Sequence, residues 1–243
     1  MSGARNEMDS WLNEALSEST SILFNKATAE SRINEFNKIN YYCFYTWDIP
    51  TNISNNGKNN THVNYPSASV FMHWLYKIGG YKPDIFKDIA FSKELGDYNK
   101  VLSAAQKISG LSGATWDSLL LNWMSEIVTN GLTFTNNGKS VKATNNLASG
   151  NVDLYPGAMI VCDSYTNGAS GNIVTNKING NGKTIVLNKD TNLKGPAINV
   201  SVTNSQTTRS KARMSRSAIR NDNNEENRDI NILLDRNGNI KKY

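Results

Sequence analysis

Histidine and cysteine are nearly absent from this 243-residue chain, with two of each, and long apolar runs are missing altogether. Cys43 and Cys162 are too few for a disulfide scaffold or a four-thiolate zinc site. His62 and His73 are too few for a three-imidazole metal site drawn from this chain alone. No window of about 18 apolar residues occurs, which excludes a membrane-spanning helix. The segment from Met1 to Asp9 has neither a basic stretch nor an apolar stretch of the kind a signal peptide needs. Charged residues make up 19%, below ordinary usage. Asparagine fills the gap: 36 are spread through helix-like, strand-like and loop stretches alike, a bias of composition more than of chemistry.

The net charge of +5 is local. Arg209, Lys211, Arg213, Arg216 and Arg220 stand in a run without an acid, so the rest of the chain balances. An acidic run follows, with Asp222, Glu225, Glu226, Asp229 and Asp235. Opposite runs side by side, without interleaved aromatics, read as a solvated, flexible stretch near residues 205–228 and not as a nucleic-acid surface.

Apolar spacing is helical up to about Gly131. Trp116, Leu119, Leu120, Trp123, Met124 and Ile127 follow a helical stripe behind Thr115 as N-cap. Asp97 opens a helix running to Ile108, Pro83 starts one through Ile89, and Pro66 starts one through Ile78 that ends at Gly79-Gly80. The first helix is expected from Glu7 to Asn25, with Trp11, Leu12, Ala15, Ile22 and Leu23 on one face. Beyond Leu132 short strands alternate with Asn/Gly turns: Ala158–Cys162, Lys183–Leu187, Ala197–Val202, and a pair, Ile230–Leu234 with Ile240–Tyr243, around Asn237-Gly238. The expected fold class is α+β, in three parts: a helical lobe over 1–132, a β-rich accessory module over 133–204, and a charged tail with a terminal hairpin over 205–243.

The chemistry-bearing residues lie on the first helix. Glu7, Glu14 and Glu18 fall within about 40° of one another beside the apolar stripe. None has a Lys or Arg four residues on, so intrahelical ion pairs do not account for them. A solvated acidic face is the plain reading.

Trp11-Leu12-Asn13-Glu14-Ala15-Leu16-Ser17-Glu18 resembles the second zinc motif of the gluzincin metallopeptidases, and more narrowly that of the hyicolysin-like neutral metallopeptidases. The resemblance continues through Tyr65-Pro66-Ser67-Ala68-Ser69-Val70-Phe71-Met72-His73-Trp74-Leu75, through Ile89-Ala90-Phe91-Ser92, and through Trp116 to Trp123. It covers roughly residues 7–132, the C-terminal lobe of that family. It implies that Glu14 is the third protein ligand of a catalytic zinc and that Glu18, one turn on, accepts a hydrogen bond from a ligand histidine. A carboxylate oxygen about 2 Å from zinc, and an acceptor behind each imidazole, are what such a centre requires. His73 or Tyr65 could stabilise the oxyanion of the reacting carbonyl; His73 also reads as an ordinary packed or exposed helix residue.

The chain departs from the family in one respect that decides activity: His-Glu-x-x-His is nowhere in it, so two zinc ligands and the general-base glutamate are missing. The expectation is that Met1 is an internal methionine or that the gene is truncated. The implied parent is a secreted bacterial zinc endopeptidase acting on protein or peptide substrates, at the cell surface or outside the cell. This chain alone is expected to be inactive and to bind zinc poorly. Trp11 and Leu12, near the chain start, are expected to expose apolar surface where a missing partner packs. The alternative is a degenerate, non-catalytic lobe presenting its β half to a surface partner. Cys43, in the aromatic run from Tyr41 to Trp47, reads as core. Asp235-Arg236-Asn237-Gly238-Asn239 reads as a turn, its glycine coming too early for an EF-hand.

Overall fold

The computed structural model describes residues 8–44, 61–136, 139–167, 172–189, 196–205, 232–234 and 240–242. The chain divides into a large unit, Met1–Asn204, and a small one, Ser205–Tyr243. The class is mixed α+β: among the described residues six helices precede short antiparallel sheets.

Helix α1 spans Ser10–Phe24, with Asp9 extended at its N-cap. Trp11, Leu12, Ala15, Ser19 and Ile22 are buried at the three-and-four spacing of one helical face. Glu18 is buried on the same face, so a carboxylate interrupts the apolar stripe. A helix absent from the sequence reading, α2 (Lys26–Phe36), follows at once. Asn25 both ends α1 and caps α2, accepting a hydrogen bond from the Thr28 amide at 3.3 Å. Only Ala29, Ile33 and Phe36 of α2 are buried.

The third helix, α3, spans Thr61–Ile78, and Pro66 lies inside it instead of at its start. Helix α4, Asp84–Ala90, has Pro83 as N-cap in place of first helical residue. Helix α5, Asp97–Ala105, stops a turn short of Ile108. The sixth, α6 (Trp116–Thr129), begins with a full capping box between Thr115 and Ser118.

Five aromatic rings hold the helices together. Phe44 lies 5.6 Å from Trp11, 5.0 Å from Phe71, 6.3 Å from Trp116 and 6.1 Å from Trp123, centroid to centroid. Trp11 and Leu12 are therefore buried in this core. The expected exposure of apolar surface at the chain start is overturned: Phe44, Phe71 and the α6 tryptophans supply the packing from within the chain. Cys43 is buried too.

Eight strands follow in the large unit: β1 (Leu132–Asn136), β2 (Lys139–Ala143), β3 (Gly150–Leu154), β4 (Met159–Cys162), β5 (Ser164–Asn167), β6 (Ile173–Lys177), β7 (Thr184–Asn188) and β8 (Ile198–Thr203). They pair antiparallel as β1-β2, β3-β8-β5 and β4-β7-β6. Strands β4, β7 and β8 lie within a residue of their expected bounds; β1, β2, β3, β5 and β6 were not foreseen. Strand β4 is buried throughout and sits beside the aromatic segment: the Tyr42 and Met159 backbones exchange hydrogen bonds of 2.9 Å. The Tyr41 hydroxyl donates to the Asp153 carbonyl at 3.1 Å and accepts from the Tyr155 amide at 2.9 Å. Asn37, just past α2, donates to the Lys142 carbonyl and accepts from the Thr144 amide, each at 2.8 Å.

In the small unit, β9 (Ile232–Leu234) pairs antiparallel with β10 (Ile240–Lys242), Ile240 opposite Leu234. The turn around Asn237-Gly238 and most of the charged stretch over 205–228 lie outside the described residues.

Candidate functional site

Helices α1, α2 and α3 pack side by side, and their shared seam is polar. Glu14 and Glu18 lie one turn apart on α1, and Tyr65 and Ser69 one turn apart on α3. The Tyr65 hydroxyl donates to the Glu14 carboxylate. The Ser69 hydroxyl donates to Glu18. Equal steps of four residues on both helices mean that α1 and α3 run parallel here, each turn of one meeting a turn of the other.

Arg32 of α2 closes the seam. Its Nε donates to both carboxylate oxygens of Glu18 at 3.2 Å, its Nη1 donates to Glu35 at 2.8 Å, and its guanidinium sits 4.7 Å from the Tyr65 ring centre. The Glu18 side chain is 7% exposed. Burial raises its carboxyl above the usual range, against the opposing pull of Arg32 and the Ser69 hydroxyl. Tyr65 is likewise raised, by burial first and then by its hydrogen bond to Glu14. Glu14 itself is only partly buried.

His73, two turns beyond Tyr65 on α3 and so roughly 12 Å along its axis, is in other surroundings. It lines a cavity of about 430 Å³ with Ile22, Ile33, Tyr76, Phe134 and Val141. Its ring meets Phe134 edge to face at 3.5 Å, and its Nδ1 is buried without a hydrogen-bond partner. Burial, helped by the charge of Lys77, pushes its pKa down to about 3, so the ring is neutral at physiological pH. Tyr65 is thus the residue beside Glu14, and His73 is in a pocket of its own. Glu7 and the His62 side chain lie outside the described residues.

Arg32 and Ser69 are members of the seam that sequence reasoning passed over. Asn25 and Thr28 in cap spacing, followed by Ala29, Ile33 and Phe36 at helical intervals, were the available signal for α2 and hence for Arg32. Among the described residues no three His, Cys, Asp or Glu side chains come together in a way that could hold a metal. A catalytic zinc takes three ligands from protein, and Glu14 stands in no such group among the described residues. In comparisons with known proteins, no family model, curated protein or solved structure matches the chain.

Proposed function

We propose that the chain is the C-terminal lobe of a secreted zinc-dependent metalloendopeptidase of the hyicolysin-like, gluzincin type. What supports the reading is the pairing of the carboxylate of Glu14, a partly buried residue, with the hydroxyl of Tyr65 across two parallel helices, on the motif that carries the resemblance. Zinc in such an enzyme supplies an activated water for attack on the peptide carbonyl. Glu14 is the protein's third ligand, and two histidines from a His-Glu-x-x-His segment outside this chain are the others. Tyr65 holds one Glu14 oxygen by hydrogen bonding and so fixes the direction of the remaining lone pairs. Glu18 accepts three hydrogen bonds, two from Arg32 and one from Ser69. A carboxylate has about four acceptor positions, which leaves room for one imidazole N–H.

The full-length gene product tests this. It is expected to contain His-Glu-x-x-His, to carry one zinc per chain, and to cleave an unstructured protein in a chelator-sensitive way. Glu14→Gln is expected to lose zinc and activity together. Full zinc content in a folded Glu14→Gln variant overturns the ligand assignment. An upstream sequence without His-Glu-x-x-His overturns the enzyme.

A second reading, a non-catalytic lobe acting as a surface binding module, has one observation in its favour. Arg32 and Ser69 already hydrogen-bond the Glu18 carboxylate, so it has partners within the chain without a metal or an imidazole. Inactivity and absence of zinc in the full-length product select that reading.

A further inference from the structure

The cavity at His73 is separate from the Glu14 seam and plays no part in the proposed peptidase chemistry. Three features distinguish it from a packing defect. Its volume of about 430 Å³ lies in the range of small-molecule sites. One end is aromatic: Phe134 stands 3.5 Å from the His73 ring and Tyr76 6.2 Å from it, all edge to face. The lip is strained: Tyr81 has φ +60°, a left-handed conformation rarely taken by a residue with a side chain. Its amide is tied to the Tyr76 carbonyl at 2.8 Å, and its ring, 55% exposed, stands 5.5 Å from Tyr76 at 84°. Strain of this kind, held by the surrounding structure, concentrates at ligand clamps.

Charge and shape then define the occupant. The cavity's charged wall residues, Lys26 and Glu30, are of opposite sign and one helical turn apart on α2. His73 is neutral and carries a buried ring nitrogen with no partner. A net-neutral site offers an ion nothing in return for its desolvation. The remaining apolar lining is aliphatic: Ile22 of α1, Ile33 of α2 and Val141 of β2, which stands across the β1-β2 ladder from Phe134. We propose that this cavity is a binding site for a small, uncharged aromatic molecule, its ring among Tyr76, Phe134 and the Tyr81 lip and its polar group at His73.

The full chain is titrated by calorimetry with 2-naphthol, which is neutral, and with 2-naphthoate and 2-naphthylmethylamine, its charged counterparts. The expected result is saturable one-to-one binding of 2-naphthol, at least tenfold tighter than either ion. Ala29→Leu on α2 and Val141→Phe on β2, each of which puts a larger side chain into the cavity lining, are expected each to weaken it at least tenfold. The chain's two histidines give a built-in control by carbon-13 histidine NMR. The His73 ring signals shift with 2-naphthol and those of His62 do not. No saturable binding to the folded wild type, preference for either ion, or a His73 signal that does not respond overturns the proposal. So does undiminished binding in whichever cavity-filling variant folds.

Discussion

Arg32 on α2 holds its Nε 3.2 Å from both carboxylate oxygens of Glu18 on α1, although the two residues belong to different helices and Glu18 is almost wholly buried. That relationship explains how an acid can sit in the buried face of α1. It also explains why Glu18, which has no intrahelical partner, does not lie on a solvated face. The guanidinium spans Glu18, Glu35 and the Tyr65 ring at once, so it ties α1, α2 and α3 into one seam.

Removing Arg32 is expected to cost more than removing both charges. Arg32→Met strands the Glu18 carboxylate and should destabilise the fold by about 2 kcal/mol at pH 7. That is below the range for fully buried pairs, because the guanidinium keeps 25% of its side chain exposed. The double variant Glu18→Gln/Arg32→Met should recover much of the loss. The folded Glu18 carboxyl is raised above 4.5, so its protonated form favours the fold. That contribution is complete below pH 4.5 and is lost as pH rises through the raised value. The Arg32→Met deficit should therefore shrink toward pH 4. Urea unfolding at pH 7 and pH 4 measures it, and a deficit that is the same at both pH values refutes the assignment.

The N-terminus of α6 offers a local test. The Thr115 hydroxyl accepts from the Ser118 amide at 3.3 Å, and the Ser118 hydroxyl accepts from the Thr115 amide at 2.8 Å. Thr115→Ala should cost about 1 kcal/mol by leaving an α6 amide without its cap. Thr115→Asp should keep most of that stability. Equal losses in the two variants would show that the cap is not what matters there.

Thr115 also shows which parts of the fold were legible. A cap followed by Leu119, Leu120, Trp123 and Met124 at helical spacing is information held in adjacent residues, and α6 begins where that pattern begins. The α2 helix carries Lys26, Glu30, Arg32, Asn34 and Glu35 around only three buried residues, so its stripe is faint and its stability comes from neighbours. Strand β6, Ile173–Lys177, has no fully buried residue, and its pairing with β7 is a tertiary event. The same limit applies to the site. Glu14 and Glu18 share a helix face and could be read together, whereas Ser69 and Arg32 reach them only through helix packing. Trp11 seemed exposed because it stands near the chain start, but its partners Phe44 and Trp116 lie far along the sequence.

Gly131 joins α6 to β1 with φ +64°, a conformation open to glycine at little cost. A Cβ there would meet the Lys142 side chain and lie 3.0 Å from the Ala143 carbonyl oxygen. Since Ala143 is paired with Leu132, the clash falls at the start of the β1-β2 ladder. Gly131→Ala should destabilise by about 1–2 kcal/mol and should speed amide exchange at Leu132 more than in β7. Unchanged exchange at Leu132 would contradict the account.

His73 should make stability depend on pH below neutrality. The unfolded ring takes up a proton near 6.5, while the folded ring resists it down to about 3. The neutral ring's contribution is therefore complete above pH 6.5 and is lost progressively as pH falls toward 3. The loss approaches about 1.4 kcal/mol per pH unit in that interval. Carboxylates titrate across the lower part of the same range, so the informative quantity is the difference from His73→Gln, which keeps a polar side chain without a titrating ring. Urea unfolding of both proteins at pH 7.5, 6.0 and 5.0 should show the wild type losing stability relative to the variant at each step down. Lys77, held by Glu126 at 3.1 Å, and Lys26 are present in both proteins. Glu30 is common to both proteins and cancels in the comparison. Parallel curves from pH 7.5 to 5.0 would mean that His73 is solvated and takes its proton in the folded state as readily as in the unfolded one.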